Sequence, residues 1–101
     1  MSHRNKLSNE DPNHLYEIRD KLDNDVFKYG ISSDPIDEDG LSKRVRIQLA
    51  ILNLAVKWTR FFATILLKEI PGRRAAKEIE QEYIDEYREI HGKPPRGNVD
   101  N

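Results

Sequence analysis

Two short runs of β-forming residues around a polar reversal constrain this chain more than any other stretch. They lie in His14 to Ser32, HLYEIRDKLDNDVFKYGIS. Leu15 to Arg19 alternates apolar and polar side chains, and Val26 to Ile31 is rich in aromatic and β-branched residues, so each reads as a strand. Between them, Leu22-Asp23-Asn24-Asp25 can reverse the chain without a glycine, because Asp and Asn bond their own backbone and tolerate left-handed conformations. The second run carries Gly30, and a glycine within a strand marks a bulge or a close approach that a side chain would obstruct.

The remaining chain supplies partners for this hairpin. Met1 to Asn13 is polar and charged and reads as a flexible lead-in, with residues 14–98 as the domain and 99–101 as a tail. Ser33 to Gly40, SDPIDEDG, is an acidic loop. Leu41, Val45, Leu49, Leu52 and Val56 recur at helical spacing, with Ser42 or Asp39 available as a cap. Trp58 to Ile70 is dense in aromatic and β-branched residues and reads as a third strand, expected to be the spine of the sheet. After Pro71-Gly72, the residues Ala75, Ala76, Ile79, Tyr83, Tyr87 and Ile90 mark a second helix over Arg74 to His91, ended by Gly92. The order β-β-α-β-α predicts an α+β domain: a small three-stranded sheet with flanking helices.

Composition narrows the chemistry. With 101 residues, 37% hydrophobic and 35% charged, the chain suits one soluble domain with a modest core. It contains no cysteine, which excludes disulfides, thiol nucleophiles and Cys-based zinc sites. The three histidines, His3, His14 and His91, lack metal-ligand spacing. No apolar run approaches the ~20 residues of a membrane span, and no secretory signal is evident. The net charge of −1 leaves nucleic-acid binding to a local basic face, for which Lys43, Arg46, Lys57, Arg60, Arg73, Arg74 and Lys77 are candidates. The acidic Asp34 to Asp39 loop would repel a nucleic acid or contact a protein instead.

Several short motifs in order resemble the GIY-YIG nuclease superfamily, in particular its URI-like branch and the related nuclease domains of bacterial polymorphic toxins. His14-Leu15-Tyr16-Glu17-Ile18 matches the Tyr and second Ile of the family's Gly-Ile-Tyr-x-Ile strand, with His14 in place of its Gly. Lys28-Tyr29-Gly30-Ile31-Ser32 aligns the Gly and Ser of the second strand and puts Lys28 where a Tyr usually stands. Arg44, followed by Gln48 where the family often has His, occupies the position of a catalytic Arg, with Arg46 as the competing choice. Ala76, Glu80 and Ile84 reproduce the spacing around a metal-holding Glu. Pro95-Arg96-Gly97-Asn98 looks like the family's closing segment.

The resemblance implies an endonuclease that hydrolyses phosphodiester bonds, with DNA as substrate and RNA not excluded, and with Mg²⁺ or another divalent ion such as Mn²⁺ as cofactor. Tyr16, Lys28, Arg44 and Glu80 would be catalytic, with Glu80 the metal ligand, and Gly30, Arg46, Gln48 and Asn98 would contact substrate. Tyr16 would position or deprotonate the attacking water, with Lys28 lowering its pKa. A toxin domain further implies a cognate immunity protein, and a setting either in the bacterial cytoplasm or on a larger secreted effector that acts in a target cell's cytoplasm. The alternatives are a non-catalytic module of the same fold that only binds nucleic acid or protein, and an adaptor whose charged second helix docks a partner, for which the burial of Tyr83 and Tyr87 in the monomer is the discriminator.

Hairpin register decides what Tyr16 can do. If Tyr16 pairs with Tyr29, it lies on an apolar face opposite Lys28 and is a core residue with a satisfied hydroxyl. If the register is shifted by one residue or a bulge intervenes, Tyr16 and Lys28 share a face and can converge on a phosphate. The second arrangement is that of the family and gives Gly30 a purpose.

Overall fold

A computed structural model describes residues 11–98. Its elements are β1 (Pro12–Asp20), β2 (Asp25–Ser32), α1 (Lys43–Val56), β3 (Phe61–Pro71) and α2 (Arg73–His91). The strands form one antiparallel sheet in the order β2-β1-β3, giving the expected α+β arrangement. The spine is β1, however, and not the third strand. Along β1, Asn13 to Tyr16, Ile18 and Asp20 are buried, whereas β3 leaves Phe62 and Leu67 each 38% exposed. The apolar density of Phe61 to Leu67 reflects a strand facing a helix on either side. It does not reflect a central position.

Adjacent residues of a strand point to opposite faces, so β1 serves two half-cores. Leu15 joins Ile31, Ile70 and Ala76, covered by Ile79 and Tyr83 of α2. Tyr16 and Ile18 join Val45 and Phe61, covered by Leu49, Leu52 and Val56 of α1. The strand begins at Pro12, two residues inside the expected lead-in, and buries Asn13 and His14. His14 Nε2 lies 3.2 Å from Ser42 Oγ. Ser42 is the N-cap of α1 but makes no side-chain cap bond there.

The hairpin turns as its polar residues dictate. Asp20 accepts a hydrogen bond from the Leu22 N–H, Asp23 accepts one from the Asp25 N–H, and Asn24 takes φ 56°. Tyr16 pairs with Gly30 and Ile18 with Lys28, after which the register slips so that Arg19 faces Val26. Phe27 is therefore the extra residue of a bulge. The register is the shifted one, with the bulge at Phe27 and not at Gly30. Gly30 answers a different need: a Cβ there would collide with Cζ of Tyr16, so the phenol ring lies across the bare backbone.

The closing segment seals the outer edge of β2. Gly97 N–H donates to the Phe27 carbonyl at 2.7 Å, and the Asn98 amide both accepts from Tyr29 N–H and donates to Tyr29 C=O at 2.8 Å. Arg96 and Arg60 converge on Asp20, which is completely buried. Arg60 binds it through two nitrogens at 2.8 and 2.7 Å, and Arg96 adds a contact of 2.6 Å. One carboxylate thus joins the end of β1, the start of β3 and the closing segment. The hydrogen bonds from Arg60 hold its carboxyl well below the usual aspartate range; burial opposes this, and Arg96 and the Leu22 N–H reinforce it.

Two stability measurements test these contacts. Gly30→Ala is expected to cost about 2–3 kcal/mol by denaturant unfolding, the range for overpacking, and much less in a Tyr16→Ala background. An equal cost in both backgrounds would mean that the ring is not what the position avoids. The depressed Asp20 pKa contributes stability that is full above the ordinary aspartate value of 3.8 and lost as pH falls toward the folded value. Asp20→Asn should lower stability at neutral pH by roughly 2 kcal/mol or more, less than a fully buried pair because both guanidinium groups reach solvent. It should also flatten the acid limb of the stability–pH curve, and an unchanged limb would remove Asp20 from that role.

Candidate active site

The shifted register brings Tyr16, Ile18, Lys28 and Gly30 to the α1 face of the sheet. There Gln48, one turn beyond Arg44 on α1, meets two of them. Tyr16 Oη donates to Gln48 Oε1 at 3.1 Å, and Lys28 Nζ donates to the same oxygen at 3.3 Å. A lysine ammonium has donors and no acceptor, so the amide atom facing it must be oxygen. The Gln48 nitrogen, with two hydrogens, is left without a partner among the described residues. Arg44 is exposed, and its own backbone N–H is held by Asp34 Oδ2 at 3.2 Å.

Electrostatics extends the cluster to α2. Burial raises the Tyr16 pKa, and the Gln48 bond and the Arg44 charge oppose the rise. The Lys28 pKa is lowered, first by burial and then by Arg44, with Glu80 pulling it back. Burial raises the Glu80 pKa against the charges of Lys77, Arg73 and Lys28. Tyr16, Lys28, Arg44, Gln48 and Glu80, drawn from two strands and two helices, therefore act on one another. The expectation that Lys28 lowers the Tyr16 pKa is not met: Arg44 supplies the opposing charge, burial prevails, and the phenol stays protonated at neutral pH.

Other residues expected at the site are placed elsewhere. Arg46 binds Asp37 at 2.6 Å and Asp39 at 3.2 Å and so holds the acidic loop against α1. Arg60 belongs to the Asp20 cluster, which leaves Lys43, Lys57, Arg73, Arg74 and Lys77 of the expected basic margin. Both polar ends of Asn98 are engaged with Tyr29. The side of Gly30 expected to admit substrate is filled by the Tyr16 ring. The adaptor reading turns on the burial of Tyr83 and Tyr87: both are partly buried, Tyr83 packing edge-on against Tyr29 at 5.4 Å and Tyr87 donating to Asp25 at 2.7 Å.

His14 and Ser42 are the pair that reading the sequence overlooked. The His14 ring lies 6.3 Å from that of Tyr16, and its bond to Ser42 ties β1 to the start of the helix that carries Arg44 and Gln48. Burial lowers the His14 pKa, against the charge of Asp34. The available signal was the two-residue step from His14 to Tyr16, which puts both on one face of a strand.

Among the described residues, no group of three or more His, Asp or Glu side chains is placed to hold a metal ion. Glu80 is a single half-buried carboxylate, and burial raises its pKa. One such carboxylate fits a hard cation that takes its other ligands from water and phosphate oxygens. No helix among the described residues is long and apolar enough to cross a membrane.

Comparison with curated proteins and with solved structures gives no match. A family model described as URI fold toxin 2 matches residues 6–92, which takes in all five elements of the fold and every residue of the cluster around Tyr16. The chain belongs to the URI fold toxin 2 family.

Proposed function

We propose that this toxin-family domain is a divalent-metal-dependent endonuclease of the GIY-YIG type that hydrolyses phosphodiester bonds in DNA, as the toxic domain of a bacterial effector. The observation that carries the reading is the shared contact of Tyr16 and Lys28 with Gln48, coupled to Arg44 and Glu80. With Lys28, Arg73 and Lys77 around one carboxylate and Arg44 beside Tyr16 and Lys28, the region is positive and suits a phosphodiester. The substrate brings the negative charge that a metal beside Glu80 would also need.

The residues divide the work as follows. Tyr16 is a neutral, buried phenol whose proton is directed at Gln48, so it acts as a positioning residue that holds the Gln48 amide oxygen against Lys28. Arg44 and Lys28 lie beside the phosphate and stabilise the charge that develops on its oxygens. Glu80 would hold Mg²⁺ or Mn²⁺, which when bound supplies a Lewis acid to the phosphate and leaving oxygens. An immunity protein would act by covering the basic surface of Arg44, Arg73 and Lys77 with acidic groups.

Incubation with supercoiled plasmid and with RNA, in Mg²⁺ and in EDTA, tests the proposal. Mg²⁺-dependent cleavage should be lost in Glu80→Ala. Arg44→Ala should lower the rate by roughly 10²-fold or more, the scale of losing one positioned transition-state contact, and Tyr16→Phe by roughly tenfold, through the lost hydrogen bond that positions Gln48. Arg46→Ala should leave turnover within a few-fold, because its side chain is engaged with the acidic loop. If neither nucleic acid is hydrolysed, the enzymatic reading fails. Retained binding without hydrolysis would support the binding-module reading.

A further inference from the structure

Beside the cluster lies an apolar slot that the chemistry above does not use. It is a cavity of about 310 Å³ lined by Phe27, Lys28, Gln48, Ile51, Leu52 and Gly97. That volume is at the lower end of the ~300–1,000 Å³ typical of ligand clefts. Its walls are built into the fold. The bulge turns Phe27 onto the α1 face next to Lys28, and the Phe27 ring is fixed between the Phe61 ring at 5.0 Å and the Arg96 guanidinium at 5.4 Å. Gly97 presses so closely on Phe27 that a Cβ would come within 2.6 Å of its ring. On the α1 side Ile51 is 64% exposed, an apolar side chain that nothing in the fold covers.

Lys28 and Gln48 belong both to the slot and to the candidate active site, so the two are contiguous and one ligand can reach both. A ligand that suits it has flat apolar faces, a polar edge and an adjoining phosphate. Ile51 and Leu52, with the part of the Phe27 ring that Arg96 and Phe61 leave open to the slot, would take the faces, the unpartnered Gln48 amide nitrogen would donate to the edge, and Lys28 would meet the phosphate. We infer that the slot receives the nucleobase adjoining the scissile phosphate, which makes single-stranded or locally opened nucleic acid the substrate. A base held in a duplex stack cannot present its faces to these walls. This inference rests on the nuclease reading.

The test compares a single strand of ordinary nucleotides, a strand of the same length made entirely of abasic nucleotides, and the corresponding duplex. Affinities are read by fluorescence anisotropy on the Glu80→Ala chain in Mg²⁺, and cleavage is read on the unaltered chain. The ordinary strand should bind at least about fivefold more tightly than the abasic one, the lower end expected for stacking one base. It should also be cut faster than the duplex. Ile51→Gln should reduce the affinity ratio toward unity, whereas Leu54→Gln, on the same helix but outside the slot and 78% exposed, should leave it unchanged.

Equal affinity for ordinary and abasic strands, with cleavage retained, would overturn the slot while leaving the nuclease reading intact. Absence of both binding and cleavage would overturn the two together. If Ile51→Gln altered only the grip of a protein antagonist and left the affinity ratio as it was, the slot would be a protein-binding surface and the inference would fall.

Discussion

The hairpin register is the constraint on which the rest of this structure depends. Side chains alternate strictly along a strand, so a one-residue slip moves every later residue to the opposite face. With Tyr16 opposite Gly30 and Ile18 opposite Lys28, the phenol and the ammonium lie under α1, where Gln48 joins them. The bulge then takes up Phe27, so that Arg19 faces Val26 and Asp20 faces Asp25 at the end of the hairpin. Gly30 is the local condition of the register, because any side chain there would displace the Tyr16 ring.

Polar groups anchor both ends of the central strand, and they do different work. At its start, His14 and Ser42 join β1 to α1 through a contact with 3% and 0% exposure on its two sides. At its end, Asp20 gathers two guanidinium groups from segments distant in sequence. A buried carboxylate is costly unless fully paired, and here hydrogen bonds from Arg60, Arg96 and the Leu22 N–H supply the pairing. Such a cluster is demanding about geometry, which suits a small domain whose apolar core is divided into two halves. The closing segment is part of this arrangement: Arg96 grips Asp20 while Asn98 behaves like one residue of an added strand beside Tyr29.

Periodicity made the elements and their order legible, because amphipathic helices and alternating strands imprint their spacing on the chain. The grouping of Tyr16, Lys28, Arg44, Gln48 and Glu80 followed from motif order; in the fold Tyr16 and Lys28 meet on Gln48, and the charges of Arg44 and Glu80 act on both. What periodicity does not encode is competition between partners. Arg44 and Arg46 are equivalent as residue types, and only the position of Asp37 and Asp39 commits Arg46 to the loop. Asn98 looks like a substrate contact until the open edge of β2 is seen to need it. The place of β3 at the sheet edge was hidden for a related reason, since local apolar density cannot distinguish a strand flanked by two strands from one flanked by two helices.

The electrostatic state of the cluster follows from these placements. Burial pushes Tyr16 and Glu80 up and Lys28 down, so each shift favours the uncharged form. Shifts in one common sense mean that the fold withdraws water from these groups without giving each a full set of internal partners. Contrast Asp20, whose partners overcome its burial and hold it ionised. The difference separates a structural charge cluster, complete in itself, from one that a ligand would complete. A phosphate beside Lys28 and Arg44 would favour the ammonium, and a cation beside Glu80 would favour the carboxylate. Each would therefore gain from a site whose own interactions leave those charges undercompensated.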